Sequence, residues 1–202
     1  MGGAGKSHFW EQGTRPHIGV LARTRDGRLY APFGDERVSH KAYIAVGTNL
    51  GDRLRNYKAA LEKISQLPNT RITGKSSLYE SEPHGKARNW FLNGVIQVTT
   101  ELEAAPLLKE LQKIETALGR KRDVAKTTVS REMDLDILLF DHDTVESRNL
   151  KVPHPEIANR KFVLLPLAEL APAFLHPVSG TAISSLLATT RDKKRVMLFR
   201  PH

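Results

Sequence analysis

The chain has no cysteine. A disulfide framework, a thiolate metal site and a cysteine nucleophile are therefore excluded, and a reducing cytoplasm is the expected setting. No apolar run approaches the roughly 20 residues that cross a bilayer, so no membrane-spanning helix is expected. The first residues lack the apolar core of a secretory signal. Aromatics are scarce, at 6% of the 202 residues. They do not interleave with the basic blocks, as they do in single-strand nucleic-acid binders. There is no HExxH, no GxSxG and no Rossmann glycine pattern at a strand–helix junction. Gly5-Lys6-Ser7 has the look of a P-loop ending but lacks the upstream glycine and the preceding strand. No internal repeat or low-complexity tract is present.

Acidic residues are the scarcer charge: 31 Lys and Arg face 22 Asp and Glu, a net charge of +9. That balance points to an anionic partner, whether nucleic acid, a membrane surface or a phosphorylated small molecule. The basic residues concentrate at 120–126 and 191–200. The run Arg191-Asp192-Lys193-Lys194-Arg195 reads as a solvated segment. The length suits one domain with an extension. Residues 1–40, rich in Gly, Arg and Asp without sustained periodicity, read as a poorly ordered N-terminal extension, and 41–202 as the folded domain.

Within that domain, 42–46 reads as an apolar strand that runs into Gly47-Thr48-Asn49-Leu50-Gly51-Asp52, a turn with helix-start residues. Leu54, Tyr57, Leu61 and Ile64 keep helical spacing up to Pro68. Strands are expected at 72–80 and 91–100. On the second of these Val95, Gln97 and Thr99 face away from Ile96 and Val98. A second helix is expected at 106–118, with Gly119 in the C-terminal capping position. A fourth strand follows at 133–140, and a third helix near 159–170. The order β-α-β-β-α-β is the ferredoxin-like plan of an α+β fold, an antiparallel sheet with helices packed on it.

The richest stretch is Arg131-Glu132-Met133-Asp134-Leu135-Asp136-Ile137-Leu138-Leu139-Phe140. Met133, Leu135, Ile137 and Leu139 alternate with Asp134, Asp136 and Leu138, which predicts a mostly buried strand with both aspartates on one face. Two ionised carboxylates on a half-buried face repel each other. Mg²⁺ relieves that repulsion, since it is commonly held by one or two carboxylates plus substrate phosphates. The alternative is a solvated strand edge. Arg120, Lys121, Arg122 and Arg131 lie just upstream, and guanidinium forks near paired acids suit a polyphosphate. His154, between Pro153 and Pro155, sits on a stiff segment, either as a ligand group or as a surface histidine. Phe91 and Asn93 share a strand face, where a ring beside an amide can stack on and read a flat heterocycle. A core position for Phe91 is the alternative. Phe162, after Asn159-Arg160-Lys161, is open to the same two readings.

Taken together, these segments resemble the 6-hydroxymethyl-7,8-dihydropterin pyrophosphokinase family. The resemblance rests on Tyr43-Ile44-Ala45-Val46-Gly47-Thr48-Asn49-Leu50-Gly51-Asp52, Phe91-Leu92-Asn93, Ile114-Glu115, and Gly119-Arg120-Lys121-Arg122. It continues through Arg131-Glu132-Met133-Asp134-Leu135-Asp136-Ile137, Val152-Pro153-His154 and Asn159-Arg160-Lys161-Phe162, in family order and spacing over 41–180. It implies diphosphate transfer from ATP to the hydroxymethyl group of a reduced pterin, with release of AMP, as a step of folate biosynthesis. By position, Asp134 and Asp136 would bind two Mg²⁺ ions, and one of the two carboxylates would accept the hydroxyl proton, a role assigned to Asp136. Arg120, Arg122 and Arg131 would clamp the polyphosphate. His154, Arg160 and Gln112 would also meet ATP. Phe91 and Phe162 would sandwich the pterin, with Asn93 and backbone groups of Ser81 and His84 on its edge. The resemblance further implies a cytoplasmic monomer with no nucleic-acid or membrane partner. Three departures stand out. The segment 126–130 lacks the family's aromatic residue, Pro155 replaces an aromatic one, and Asn149 stands where some members carry Arg.

Two other classes share parts of this pattern. A two-metal nucleotidyltransferase or cyclase palm would use the paired acids, but would leave Phe91-Leu92-Asn93 and Pro153-His154 without a role. An RNA-binding module of the same plan needs an RNP pattern of sheet aromatics, which is missing, and two aspartates would repel phosphate.

Overall fold

The computed structural model describes residues 22–23, 29–30, 38–83, 89–119 and 133–200. The chain divides into two compact units, Met1–Arg37 and Val38–His202. In the first, β1 (Ala22–Arg23) pairs antiparallel with β2 (Leu29–Tyr30). The reading of 1–40 as a poorly ordered extension otherwise lies outside the described residues.

The second unit opens with β3, His40–Thr48, longer at both ends than the apolar core 42–46 suggests. Gly51 takes a positive φ of 60° in the turn that follows. Asp52 then caps α1, Arg53–Ser65, by accepting the Arg55 N–H at 3.0 Å, which satisfies one of the helix's orphan donors. The single strand expected at 72–80 is two, β4 (Thr70–Lys75) and β5 (Tyr79–Ser81). A register shift between Ile72 and Gly74 bends the first. The Ser76 N–H then donates to the Val95 carbonyl, and the Ser76 hydroxyl accepts from the Val95 N–H. A serine side chain has replaced a ladder rung, and the strand restarts beyond it.

β6 spans Phe91–Thr100, α2 spans Ala104–Ala117, and β7 spans Asp134–Phe140. Gly119 has φ 100°, as a C-terminal cap requires. The short strands β8 (Val145–Glu146) and β9 (Lys151–Val152) pair with each other. A 3-10 turn, Ile157–Asn159, leads into α3, Lys161–Leu170, which begins two residues after the expected start. Like the short pairs β1–β2 and β8–β9 and the 3-10 turn, α4 (Ile183–Thr189) and β10 (Val196–Leu198) were not expected from the sequence.

The sheet runs β10-β5-β6-β3-β7, with β4 also on β6, and every pairing is antiparallel. Both of its faces are covered. On one, Ile44, Val46, Ile96, Val98, Leu135 and Ile137 join Tyr57, Ala60 and Ile64 of α1 and Leu107, Leu111 and Ile114 of α2. On the other, Tyr43, Val95 and Leu138 meet Val163, Leu164 and Leu167 of α3 and Ile183 of α4. Each fully buried aliphatic side chain stabilises the fold by about 1.5–3 kcal/mol. Leu139 departs from strict alternation. A register shift opposite Tyr43 and Ile44 turns it to the α3 side with Leu138, and Phe140 returns to the α1–α2 side.

Candidate active site

The α3 face of the sheet turns polar at one end. Asp134 on β7 stands opposite Gly47 on β3, Gly47 opposite Asn93 on β6, and Asn93 opposite Tyr79 on β5. Residues paired across antiparallel strands point the same way, so this is one row of side chains with a gap at Gly47. A Cβ placed there would lie 3.4 Å from Asn93 Oδ1 and 4.0 Å from Asp134 Cβ. The gap thus joins a carboxylate to an amide across the middle strand. Asp136 stands two residues on, opposite Ala45.

Asn93 is 5% exposed and Ser81 1% exposed. The Asn93 amide donates to Ser81 Oγ at 3.0 Å and to the Tyr79 carbonyl at 3.4 Å. Both N–H groups are used against β5, which leaves Oδ1 turned over Gly47 as the acceptor the amide presents. Phe91 pairs with Ser81 one row further along and shares the Asn93 face. The expectation that Phe91 and Asn93 share a strand face agrees with the register, and Ser81 stands opposite Phe91.

Asp134 and Asp136 are both half-buried, and Leu135 between them is 2% exposed on the opposite face. Their donor set is oxygen only, which fits a hard cation that keeps several of its other ligands as water or phosphate. Among the described residues no group of three or more His, Cys, Asp or Glu could hold a metal. The pair could hold such an ion together with oxygens of a bound substrate. Behind it lies a residue that sequence reading quoted without a role. Glu115 on α2 is 1% exposed, and its Oε1 accepts the Leu135 N–H at 2.9 Å. This bond fixes the backbone between the two aspartates from the far side of the sheet. The signal was available: a glutamate within the apolar face of a helix needs a buried partner. Gln112 lies one turn earlier on α2, half-buried.

His154 follows β9, with its N–H donated to the Leu138 carbonyl at 2.9 Å. Its Nδ1 accepts the Glu156 N–H at 3.2 Å. A neutral ring therefore carries its proton on Nε2, which becomes a donor. Burial holds the imidazole pKa below its usual value and Arg160 adds to this, while Glu156 and Asp134 pull the other way. His154 is thus within electrostatic reach of both Asp134 and Arg160. The Arg160 guanidinium sits 6.0 Å from the Phe162 ring centroid, and Phe162 packs against the cluster under α3. Pro155 and Asn149 are exposed.

His84, Arg120, Arg122 and Arg131, and the segment 126–130, lie outside the described residues. One expectation fails. The run 191–195 is not merely solvated. The Asp192 carboxylate accepts the Lys161 N–H at 2.9 Å and the Lys194 N–H at 3.0 Å. Arg195 Nε donates to Glu82 Oε1 at 2.7 Å, and Lys194 Nζ to the Pro83 carbonyl at 2.7 Å. Charge composition marks a solvated segment only when no partners lie across from it; here they come from residues far away in sequence.

The profile of the 7,8-dihydro-6-hydroxymethylpterin-pyrophosphokinase (HPPK) family matches residues 43–172. The chain is 39% identical over 158 residues to a 2-amino-4-hydroxy-6-hydroxymethyldihydropteridine pyrophosphokinase of Haemophilus influenzae, covering 78% of this chain and 97% of that one. A Pseudomonas aeruginosa protein of the same name is 42% identical over 149 residues, covering 73% and 90%. A crystal structure of HPPK-DHPS in complex with substrates superposes with a TM-score of 0.60 at 14% identity, over 75% of this chain and 43% of that one. A wild-type Plasmodium falciparum HPPK-DHPS structure gives 0.61 at 16% identity, over 77% and 44%. The chain thus spans less than half the length of these solved chains, and they speak to the fold alone.

Proposed function

The chain belongs to the 7,8-dihydro-6-hydroxymethylpterin-pyrophosphokinase family, and from that premise we propose how its residues perform the reaction. The enzyme transfers diphosphate from ATP to 6-hydroxymethyl-7,8-dihydropterin, giving AMP and the pterin diphosphate, in folate biosynthesis. The observation that carries the assignment of roles is the row Asp134–Gly47–Asn93, with its gap between a metal-competent acid and a heterocycle-reading amide.

In this reading the pterin lies over Gly47 and presents an N–H edge to Asn93 Oδ1. Phe91 and Phe162 pack on its two sides, and backbone groups of Ser81 and His84 complete the edge. The hydroxymethyl group then points toward β7. Asp134 and Asp136 would hold two Mg²⁺ ions, which when bound would supply positive charge against the ATP phosphates. The hydroxymethyl oxygen bonds to the β-phosphorus as the bond from that phosphorus to the α,β-bridging oxygen breaks and AMP leaves. Asp136 accepts the hydroxyl proton. Because His154 is neutral and carries its proton on Nε2, it donates a hydrogen bond to a phosphate oxygen and adds no charge. Arg120, Arg122, Arg131 and Arg160 supply the cations, and Gln112 completes the ATP contacts. Such transfer depends chiefly on positioning and on neutralising spread charge, which this division of labour provides.

We further propose the ferredoxin-like plan for the core β3-α1-β4/β5-β6-α2-β7, with a monomeric enzyme in the cytoplasm. The antiparallel order β7-β3-β6, with β4 and β5 both paired to β6 and β10 added outside β5, supports the plan.

The decisive experiment follows AMP release from ATP with Mg²⁺, with and without 6-hydroxymethyl-7,8-dihydropterin, for the wild type and Asp134→Ala. Pterin-dependent AMP in the wild type only is the expected result. Equal AMP release by the variant would remove Asp134 from the metal site.

A further inference from the structure

The two walls assigned to the pterin come from separate parts of the chain. Ser81 and Phe91 belong to β5 and β6, and Phe162 to the first turn of α3. The segment 190–198 touches both. At the α3 end, Thr190 Oγ1 donates to the Ala158 carbonyl at 3.2 Å, and Asp192 Oδ2 accepts the N–H of Lys161, the first residue of α3, at 2.9 Å. Arg160 precedes that helix without a side-chain capping bond. Asp192 therefore supplies from a distance the acceptor, and the negative charge, that a helix N-terminus favours. Phe162 is the next residue.

At the other end, Glu82 and Arg195 are joined three ways. The Glu82 N–H donates to the Arg195 carbonyl at 3.1 Å. The Arg195 N–H and Nε donate to the two Glu82 carboxylate oxygens at 3.2 and 2.7 Å. These bonds to Arg195 lower the Glu82 pKa. Lys194 Nζ reaches the Pro83 carbonyl, and the Arg195 guanidinium lies 5.5 Å from the Trp90 ring centroid. Val196 then pairs with Ser81, in the same row as Phe91. One short segment, with Asp192 and Arg195 three residues apart, is thus hydrogen-bonded to the residue before Phe162 and to the residue after Ser81, and its guanidinium lies over the ring of the residue before Phe91.

We propose that 190–198 is a strap that sets the separation of the two pterin walls, with Asp192 and Arg195 as its positioning residues. The inference rests on the assignment of Phe91 and Phe162 to the pterin. Magnitudes separate the strap from mere stabilisation. Arg195 is exposed and Glu82 partly so, and such a surface pair adds little to fold stability. A binding pocket, by contrast, must hold its walls to about 0.5 Å. Removing the strap's bonds should therefore appear in pterin affinity before it appears in melting.

The test compares wild type, Asp192→Ala, Asp192→Asn, Arg195→Ala and Phe162→Ala as full chains. Pterin affinity is titrated directly, KM is measured for both substrates, and Tm is recorded. Asp192→Ala is expected to weaken pterin binding about tenfold, the worth of one hydrogen bond to a charged group. Its ATP KM should stay within about twofold, and its Tm should fall by about 2–4 °C, the cost of one lost helix cap, whereas Arg195→Ala should melt near wild type. Asp192→Asn keeps an acceptor oxygen and should recover most of the affinity, and Arg195→Ala should give a smaller loss of the same kind. Unchanged pterin affinity in Asp192→Ala, an equal loss for both substrates, or an Asn variant as weak as the Ala variant would each overturn the strap. Phe162→Ala reads the pocket separately. If it loses pterin binding while Asp192→Ala keeps it, the strap alone falls. If Phe162→Ala binds pterin normally, the assignment of that wall falls and the strap with it.

Discussion

The two faces of the central sheet use the same strands for opposite purposes. On β7, Leu135 and Ile137 are 2% and 3% exposed under α2, whereas Asp134 and Asp136, one residue away on each side, are half-buried and turned to the other face. On β6, Ile96 belongs to the sealed side, whereas Asn93 ends in an acceptor oxygen over a gap. The α1–α2 face is apolar through the paired strands. The α3–α4 face is apolar under its helices and then polar at the Gly47 row. The larger buried apolar cluster lies on the first face, and the proposed chemistry is placed at the polar end of the second. The Glu115 bond to the Leu135 N–H adds a fixed backbone between the two acids.

The largest expected effect removes chemistry while sparing the fold. Asp136→Asn with saturating Mg²⁺ should lower the single-turnover rate by about a thousandfold, or ~4 kcal/mol of transition-state stabilisation. Urea unfolding of the same variant should stay within about 1 kcal/mol of wild type, since asparagine keeps the size and shape of this half-buried side chain. A near-normal single-turnover rate would end the proton-acceptor role of Asp136.

Next comes the reverse lesion. Ile96→Ala on the sealed face should cost about 2–5 kcal/mol of stability by leaving a cavity. The folded fraction should keep wild-type KM values for both substrates. A large KM change at unaltered stability would show that the faces are not separable.

Two glycines on adjacent strands sharpen the contrast at smaller scale. A Cβ at Gly94 would lie 2.9 Å from Leu78 Cδ2 and 3.1 Å from the Tyr57 hydroxyl, inside the packed face. Gly94→Ala should therefore destabilise by about 1–3 kcal/mol through overpacking. Among the described residues, a Cβ at Gly47 meets nothing closer than 3.4 Å. Gly47→Ala should melt near wild type but raise the pterin KM several-fold, because the methyl group occupies the floor on which the heterocycle lies. Paired thermal melts and steady-state kinetics check both. Equal behaviour of the two variants would refute the assignment of Gly47 to the site.

The difference between the faces also explains what could be read in advance. Period-two alternation on 133–140 and 91–100 located β7 and β6 and put Asp134 with Asp136, and Phe91 with Asn93, because side-chain direction on a strand is a local property. The break in 72–80 was not local. It depends on Ser76 exchanging bonds with Val95, which only the folded sheet brings together. The row Asp134–Gly47–Asn93 needed the strand order, and Gly47 has no side chain to announce itself. The segment 191–195 looked like solvent-facing charge because Glu82, Pro83 and Lys161 lie far away in sequence. The resemblance to a family supplied roles that composition never could, including one for His154, whose own neighbourhood left two readings open.

His154 gives the smallest effect and the most specific one, because its surroundings fix a sign. Burial first, and Arg160 second, lower its pKa below the usual 6.5. Between that lowered value and 6.5 the folded protein binds fewer protons at this site than the unfolded chain does. Stability therefore rises with pH across that interval: the contribution is complete above 6.5 and is lost as pH falls through the folded value. His176 is shifted the same way by burial, so it contributes a parallel slope. Urea midpoints of the unliganded enzyme taken from pH 7.5 down to 5 should fall less steeply in His154→Gln than in wild type, and least in the double variant with His176→Gln. ATP affinity should also change its pH response. In the proposed complex the neutral wild-type ring donates from Nε2 to phosphate, whereas the glutamine amide of the variant can donate at every pH. The variant should therefore lose any dependence that this histidine imposes while keeping a hydrogen bond. A steeper stability slope in His154→Gln would mean that the ring is charged in the folded state, and that it meets the phosphates as a cation.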